Sequence, residues 1–263
     1  MENFCNGRKA FWTVVGFSQF FGLLALTLLV VWNCVYNGGF AWDGRYREFA
    51  IHPLCMLLSV LLFGEGSLIY RTCGCFNRPT VKALHAVIMF LAVALAVFGL
   101  ITIFLFHSSM HDGNMYTMHS WLGMATIVGV IIQFLAGGIV FFIPWKANSI
   151  RKIYTPIHKY GSFALLGMLQ SSVLTGVLDD IFLCMSNKEY EKLNPHAVMF
   201  NVVGLLCLAF VLSIMYVIFR VDWKRGVNGK NCKTKTESLL PSTSLPNETD
   251  QLLEKQSLKE LNP

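Results

Sequence analysis

The sequence contains few charged residues. Only 14% of its 263 residues are Asp, Glu, Lys or Arg, whereas 54% are hydrophobic. A soluble globular domain has roughly 25% charged residues, so this composition argues against a soluble domain and indicates a polytopic membrane protein. The net charge of +6 is spread over the loops between apolar segments, which favours a membrane topology signal over a nucleic-acid partner.

The sequence also lacks a cysteine framework. Its eight cysteines show neither zinc-type nor disulfide-type spacing. Cys73 and Cys75 fall in a loop predicted to be cytosolic, where thiols normally stay reduced. Two hypotheses remain for this Cys-Gly-Cys: a pair of free thiols, or acylation beside the membrane. Because no small-residue cleavage site is evident, we expect the first apolar stretch to be a retained helix.

Six long apolar stretches occupy residues 10–35, 50–70, 84–106, 119–143, 157–178 and 197–219. Each reaches the length of about 20 residues that a helix needs to cross a hydrocarbon core of about 30 Å. Lipid offers no hydrogen-bond partners, so backbone groups must be satisfied within each segment, which favours helices. We predict an all-α membrane protein with six transmembrane helices in residues 1–225. Polar residues 226–263 should form a disordered cytosolic tail.

Basic residues are in excess in every second loop. Arg8 and Lys9 precede the first stretch, and the cations before the third and fifth stretches include Arg71 and Lys152. The charges of the first intervening loop cancel, Asp112 is the only charge between the third and fourth stretches, and residues 179–192 have four acidic and two basic residues. Because basic loops face the cytosol, both termini are predicted to be cytosolic.

Four histidines, each at one end of an apolar stretch, are the main candidates for chemistry: His52, His85, His119 and His158. If the chain crosses the membrane at every stretch, His52 and His119 share the outer side. His85 and His158 then share the inner side. Two imidazole pairs on consecutive helices match the ligands of two six-coordinate haems. Helices 2–5 are therefore predicted to form a four-helix di-haem bundle.

A glycine follows each of these histidines on the same helical face. At 100° per residue, offsets of 14 and 18 residues return to within about 40° of the starting face, four or five turns along. These offsets lead to Gly66, Gly99, Gly137 and Gly176. Each ligand helix thus has a small residue at the level of the other pair, where a haem would cross it. General helix packing through small residues is the alternative explanation.

Three cations approach the inner histidine pair. Lys82 lies one turn before His85, and Arg78 lies a further turn back. Arg151 precedes His158 by two turns on one face. These positions indicate an anion site beside the inner pair. The alternative is the ordinary cytosolic excess of basic residues.

The outer loop between the third and fourth stretches is short and polar. His107, Asn114 and Tyr116 supply hydrogen-bonding groups near the outer pair without net positive charge. His196 opens the sixth stretch without a partner histidine. We expect it to have a loop or capping role rather than to ligate a metal.

Glu65 lies well inside a predicted span, where ionisable groups are usually paired or functional. Neutralisation by Arg71 and tuning of the nearer haem are both open hypotheses for it. The rival functional class is a proton-coupled transporter that uses the intramembrane histidines and Glu65 as a relay. Histidines confined to helix ends in matched pairs argue against this class, and transporters typically have helices broken near mid-membrane.

Several short motifs, taken together, resemble the transmembrane ascorbate-dependent cytochrome b561 family. The motifs are Gly-Gly-Phe-Ala-Trp (38–42), His-Pro-Leu-Cys-Met (52–56), Leu-Ile-Tyr-Arg (68–71), Lys-Ala-Leu-His (82–85), Asn-Met-Tyr-Thr-Met-His-Ser-Trp (114–121), Pro-Ile-His (156–158) and Asp-Trp-Lys-Arg (222–225). The resemblance covers about residues 10–225.

The resemblance implies two haem b groups and a homodimer. One haem would lie between His52 and His119, and the other between His85 and His158. The cytosolic ascorbate site would consist of Arg78, Lys82 and Arg151. The outer site would consist of His107, Asn114 and Tyr116.

The implied activity is transmembrane electron transfer. Cytosolic ascorbate, a monoanion at neutral pH, would dock on the cations and give up one electron. The outer acceptor could be ferric iron or the ascorbate radical (monodehydroascorbate), and the sequence leaves both open. Residues 248–253, Glu-Thr-Asp-Gln-Leu-Leu, have the form of an acidic dileucine sorting signal. We therefore expect a late endosome or lysosome membrane rather than the plasma membrane.

Overall fold

The computed structural model describes residues 2–143, 148–184 and 190–223. These residues form helices and loops, with no β-strand among them. The helices are α1 (Glu2–Tyr36), α2 (Tyr46–Phe49), α3 (Ile51–Thr72), α4 (Arg78–Met110), α5 (Met118–Phe142), α6 (Asn148–Cys184) and α7 (Pro195–Phe219), followed by a 3-10 turn at Val221–Trp223. The predicted disordered tail, 226–263, and the dileucine motif lie outside the described residues.

Six segments are long and apolar enough to cross a membrane, which confirms the predicted all-α, six-helix membrane protein. They are Gly7–Tyr36, Tyr46–Thr72, Arg78–Met110, Met118–Phe142, Asn148–Phe182 and Pro195–Phe219. Each contains most or all of one predicted apolar stretch. The helices extend furthest beyond these stretches in α4 and α6, because polar residues at membrane interfaces continue the helical backbone.

Polar side chains fix where several of the helices begin. The Asn77 side chain accepts a hydrogen bond from the Thr80 backbone N–H at 2.8 Å at the start of α4. Thr117 caps α5 in the same way. Asn194 caps α7 through the His196 N–H at 3.1 Å. Each cap satisfies a backbone donor that the first helical turn leaves without a partner.

The helices pack in pairs. The most extensive contacts are those of α3 with α4, α1 with α7, and α5 with α6. Trp32 of α1 is fully buried and stacks on Phe200 of α7, with ring centroids 4.3 Å apart. The ends of α3 and α7 are joined by Arg71, whose guanidinium donates to the carbonyls of Ile218 and Arg220. The four helices α3–α6 carry the candidate histidines, while α1 packs chiefly against α7.

Candidate functional site

The four histidines lie in two close pairs. The ring centroids of His52 and His119 are 6.1 Å apart, with ring planes at 86°. The centroids of His85 and His158 are 6.3 Å apart, with planes at 74°. These are the two pairs expected from a chain that crosses the membrane at every apolar stretch.

Three of the four imidazoles are oriented by backbone carbonyls of a neighbouring helix. His52 Nδ1 lies 2.8 Å from the Gly99 oxygen, and His85 Nδ1 lies 2.8 Å from the Gly66 oxygen. His119 Nδ1 lies 2.9 Å from the carbonyl of Ser172. A carbonyl can only accept, so Nδ1 carries the proton in each ring, and Nε2 keeps the lone pair that a metal binds.

His158 is held differently. Its Nδ1 is buried and has no hydrogen-bond partner among the described residues. The backbone carbonyl of His158 accepts instead from the Gln133 amide and the Ser162 hydroxyl. The ring lies beside Phe141 and Tyr154, at centroid distances of 5.4 and 5.7 Å. Aromatic packing, rather than an Nδ1 hydrogen bond, therefore surrounds this imidazole.

Glycines make room for two of the rings. A Cβ at Gly137 would lie 2.9 Å from Cε1 of His158, and one at Gly176 would lie 2.8 Å from Cε1 of His119. These distances are shorter than real Cβ contacts, so only glycine fits without a shift. The four glycines that lie 14 or 18 residues after a histidine are each at the level of the histidine pair to which that histidine does not belong. In the structure two of them admit an imidazole, and the other two, Gly66 and Gly99, offer their carbonyls to one.

The centroid separation of each pair matches that of two imidazoles bound to one metal ion. A metal–imidazole nitrogen bond is about 2.0–2.1 Å long, so two imidazoles on opposite sides of one metal have centroids roughly 6 Å apart. Both measured separations agree with this value. The described residues contain no group of three or more His, Cys, Asp or Glu side chains that could hold a metal ion. A two-imidazole donor set fits a haem, whose macrocycle supplies the other four ligands.

Two of the three predicted cations meet at the inner end of α5. Lys82 Nζ donates to the Phe141 carbonyl at 2.9 Å. The Arg151 guanidinium donates to the carbonyls of Val140 and Ile143, at 3.3 and 3.0 Å. The last carbonyls of a helix lack intrahelical partners and carry partial negative charge, so they attract cations. Sequence reasoning missed this role for both side chains.

Arg78, the third predicted cation, begins α4 and is exposed. It therefore lies on the same side as Lys82 and Arg151 but at the surface rather than against the end of α5.

The predicted outer residues lie around a shallow pocket. His107 Nδ1 is 2.9 Å from the Asn114 side-chain oxygen. The pocket is lined by Tyr46, Phe49, Phe106, His107, Asp112, Tyr116 and Asp180. His107 and Tyr116 thus lie in its wall, and Asn114 supports His107 from the loop.

Asp180 is a buried acidic residue of the pocket that the sequence analysis did not predict. The predicted fifth span ended at residue 178, which placed Asp180 in a solvated loop. In the structure α6 continues to Cys184, and Asp180 is only 4% exposed. The adjacent acidic residues Asp179 and Asp180 indicated a solvated loop, and the burial of Asp180 follows from tertiary packing.

Glu65 and Arg71 take different partners among the described residues. Glu65 accepts a 2.7 Å hydrogen bond from the Gln19 amide of α1, whereas Arg71 donates to carbonyls at the end of α7. His196 is neither a loop residue nor the cap of α7. Its ring stacks on Tyr36 and lies beside Trp32, at centroid distances of 4.6 and 4.9 Å.

Comparison with known proteins gives a consistent family. The family described as eukaryotic cytochrome b561 matches residues 51–184, which include all four histidines. The lysosomal membrane ascorbate-dependent ferrireductase CYB561A3 of Mus musculus is 35% identical over 209 residues, covering 78% of this chain and 86% of the relative.

Two further relatives extend the match. The transmembrane ascorbate-dependent reductase CYB561 of Bos taurus is 32% identical over 236 residues, covering 87% of this chain and 93% of the relative. The plasma membrane ascorbate-dependent reductase CYBRD1 of Rattus norvegicus is 32% identical over 224 residues, covering 84% and 78%. With its six membrane-spanning helices and two histidine pairs, the chain belongs to the cytochrome b561 family.

Proposed function

We propose that the chain transfers electrons across its membrane, from cytosolic ascorbate to a ferric acceptor on the opposite side. The observation that carries the proposal is the pair of imidazole separations, 6.1 and 6.3 Å, at opposite ends of one bundle. The names of the relatives, which are ascorbate-dependent reductases and ferrireductases, support the donor and the reaction class.

The four histidines would hold two haem b groups. His52 and His119 would bind one, and His85 and His158 the other. When bound, each haem would supply a one-electron redox centre, which is the chemistry that electron transfer needs. The chain itself orients the ligands, because the carbonyls of Gly99, Gly66 and Ser172 fix three of the rings.

The separation of the two pairs suits a membrane crossing. On α3, Gly66 reaches the level of His85 and lies 14 residues after His52. At 1.5 Å per residue this is about 21 Å along the helix. The pairs therefore lie near opposite interfaces of a hydrocarbon core of about 30 Å.

The cationic end of the bundle is proposed as the ascorbate side. Lys82 and Arg151 converge on the end of α5, and Arg78 is exposed on the same side. Ascorbate is a monoanion at neutral pH, so charge-assisted hydrogen bonds from these side chains would hold it. The positive-inside rule puts this end, with both termini, in the cytosol.

The outer pocket favours a cationic acceptor. The exposed Asp112 lines it together with His107 and Tyr116, and no Lys or Arg does so among the described residues. The ascorbate radical is an anion and would be repelled by a carboxylate, whereas a cationic ferric species would be attracted. We therefore propose ferric iron as the acceptor, ahead of monodehydroascorbate.

A lysosomal or late endosomal membrane is proposed as the location. The name of the mouse relative supports it, although the rat relative is named for the plasma membrane. The homodimer remains a prediction. A proton-coupled transporter is disfavoured, because the histidines are paired ring to ring and because α3–α6 continue unbroken through the described residues.

The decisive experiment is an absorption spectrum of the purified full chain, oxidised and then treated with ascorbate. We expect a Soret band that shifts to the red and a sharp b-type α band, with about two haems per chain. A colourless protein after expression with haem supplied would contradict the di-haem proposal. Haem that dithionite reduces but ascorbate does not would contradict the donor.

A further inference from the structure

The turn between α3 and α4 carries a cysteine pair that electron transfer does not use. Cys73 is half-buried and follows the last residue of α3, whereas Cys75 is exposed. Five cysteines have described side chains, and these two are the ones at the proposed cytosolic end. Cys55 and Cys207 are buried inside the bundle, and Cys34 lies near the other end of α1.

The turn keeps both cysteines close to the ends of two membrane-spanning helices. The spanning helix α3 ends at Thr72, and α4 begins at Arg78. Cys75 is three residues from each of these positions, and an extended chain covers at most about 3.3–3.6 Å per residue. Its sulfur is therefore tethered within roughly 10 Å of two membrane-spanning helix ends.

The groups around Cys75 match a lipid interface. Phe76 follows Cys75 and is 53% exposed, so an apolar ring faces outward beside the exposed thiol. Aromatic rings of this kind lie at headgroup level in membrane proteins. Arg71 and Arg78 flank the cysteines in sequence and add positive charge that attracts anionic headgroups.

We propose that Cys75 is S-acylated by a long-chain fatty acid, with Cys73 as a secondary acceptor. The Cys75 thiolate attacks the carbonyl of an acyl-coenzyme A thioester. A new thioester bond forms to the cysteine sulfur, the bond to coenzyme A breaks, and the coenzyme A thiolate takes up the proton that the cysteine released. Nothing is oxidised or reduced, and the acyl chain can insert into the adjacent leaflet. The inference rests on the cytosolic orientation given under the proposed function.

Acylation at this position would act next to the inner site. The ring of Tyr70 lies 5.3 Å from that of His85, and Lys82 lies one turn inside α4. An inserted acyl chain would hold the turn at a fixed depth in the membrane. The depth of the turn would then affect how easily a soluble anion reaches the cations at this end. Haem binding would not be affected.

The test is thioester exchange on the full chain purified from eukaryotic cells. Free thiols are blocked, thioesters are cleaved with neutral hydroxylamine, and the released thiols are coupled to a mass tag. Cys5 and Cys232, which precede and follow the membrane-spanning part of the sequence, are first replaced in a C5S/C232S background. We expect a hydroxylamine-dependent tag on this background, strongly reduced by Cys75→Ser and abolished by C73S/C75S.

Cys34 supplies the matched control, because it is also exposed at the end of a spanning helix but on the proposed outer side. Cys34→Ser should leave the tag unchanged. A tag that survives C73S/C75S, or that depends on Cys34, would overturn the proposal, as would no tag at all. Haem content and the ascorbate-reduced spectrum are recorded for each variant. If the C5S/C232S background itself carries no tag but its spectra are normal, only this inference fails. Abnormal spectra in that background would instead count against the proposed electron-transfer function.

Discussion

His52 and Gly99 are joined by a 2.8 Å hydrogen bond from Nδ1 to the carbonyl, so the proposed outer ligand on α3 is oriented by α4, the helix that carries the proposed inner ligand His85. The converse bond runs from His85 to the carbonyl of Gly66, on α3, at 2.8 Å. Each helix therefore orients the imidazole of the other. Both bonds cross the same helix pair, which Ser59 also links by donating to the Ala92 carbonyl.

Replacing one axial histidine should remove one haem and leave the other. His52→Gln and His85→Gln each delete a ligand while keeping a polar side chain of moderate size. Because the pairs lie about 21 Å apart along α3, each variant should retain about half of the haem per chain. The measurement is haem content per protein, with the redox spectrum of the remaining haem. Complete loss of haem in both variants would contradict two independently held cofactors.

The glycine that faces His119 should not tolerate a methyl group. In Gly176→Ala the new Cβ would lie 2.8 Å from Cε1 of the ring and 3.1 Å from Nδ1. The ring must then move, although the Ser172 carbonyl holds Nδ1. We expect haem content to fall toward half, with the loss confined to the outer haem.

Gly167→Ala is the matched control for this change, because it lies on the same helix and a Cβ there meets nothing within 4 Å. It should keep both haems, and its helix should gain about 0.5–1 kcal/mol from the loss of glycine flexibility. Gly137→Ala and its neighbour Gly138→Ala form a second pair for the inner site. Equal haem content within each pair would show that the short contacts do not limit binding.

The histidine pairs and the facing glycines were predictable because both follow from helical periodicity, which needs only residue numbers. The contacts that orient the rings were not predictable in the same way. Which carbonyl lies beside His119 depends on the relative rotation of α5 and α6, and this rotation is set by packing. The extension of α6 to Cys184, which buries Asp180 in the outer pocket, likewise depends on tertiary contacts that local polarity does not reveal.

The two cations at the end of α5 should determine ascorbate affinity. Hydrogen bonds to a charged group contribute about 1.5–3 kcal/mol. Lys82→Ala or Arg151→Ala should therefore raise the KM for ascorbate about tenfold or more, with haem content unchanged. Lys152→Ala, next to Arg151 and exposed, is the control and should change KM little. If both cations serve only to cap α5, the variants will lose thermal stability while KM for ascorbate stays constant.

The carboxylates of the outer pocket should select acceptors by charge. Asp112→Asn removes one negative charge from the pocket wall, where Asp112 lies with His107 and Tyr116. We expect the rate with a cationic acceptor such as hexaammineruthenium(III) to fall several-fold and the rate with anionic ferricyanide to rise. Both rate changes should become smaller at high salt, because exposed charges are screened beyond about 10 Å at 0.1 M ionic strength.

Glu191→Gln is the control, because it makes the same charge change at an exposed position outside the pocket lining. It should change both rates much less. Equal effects of the two variants would mean that the outer face acts only through its overall charge, and the acceptor would then need no pocket.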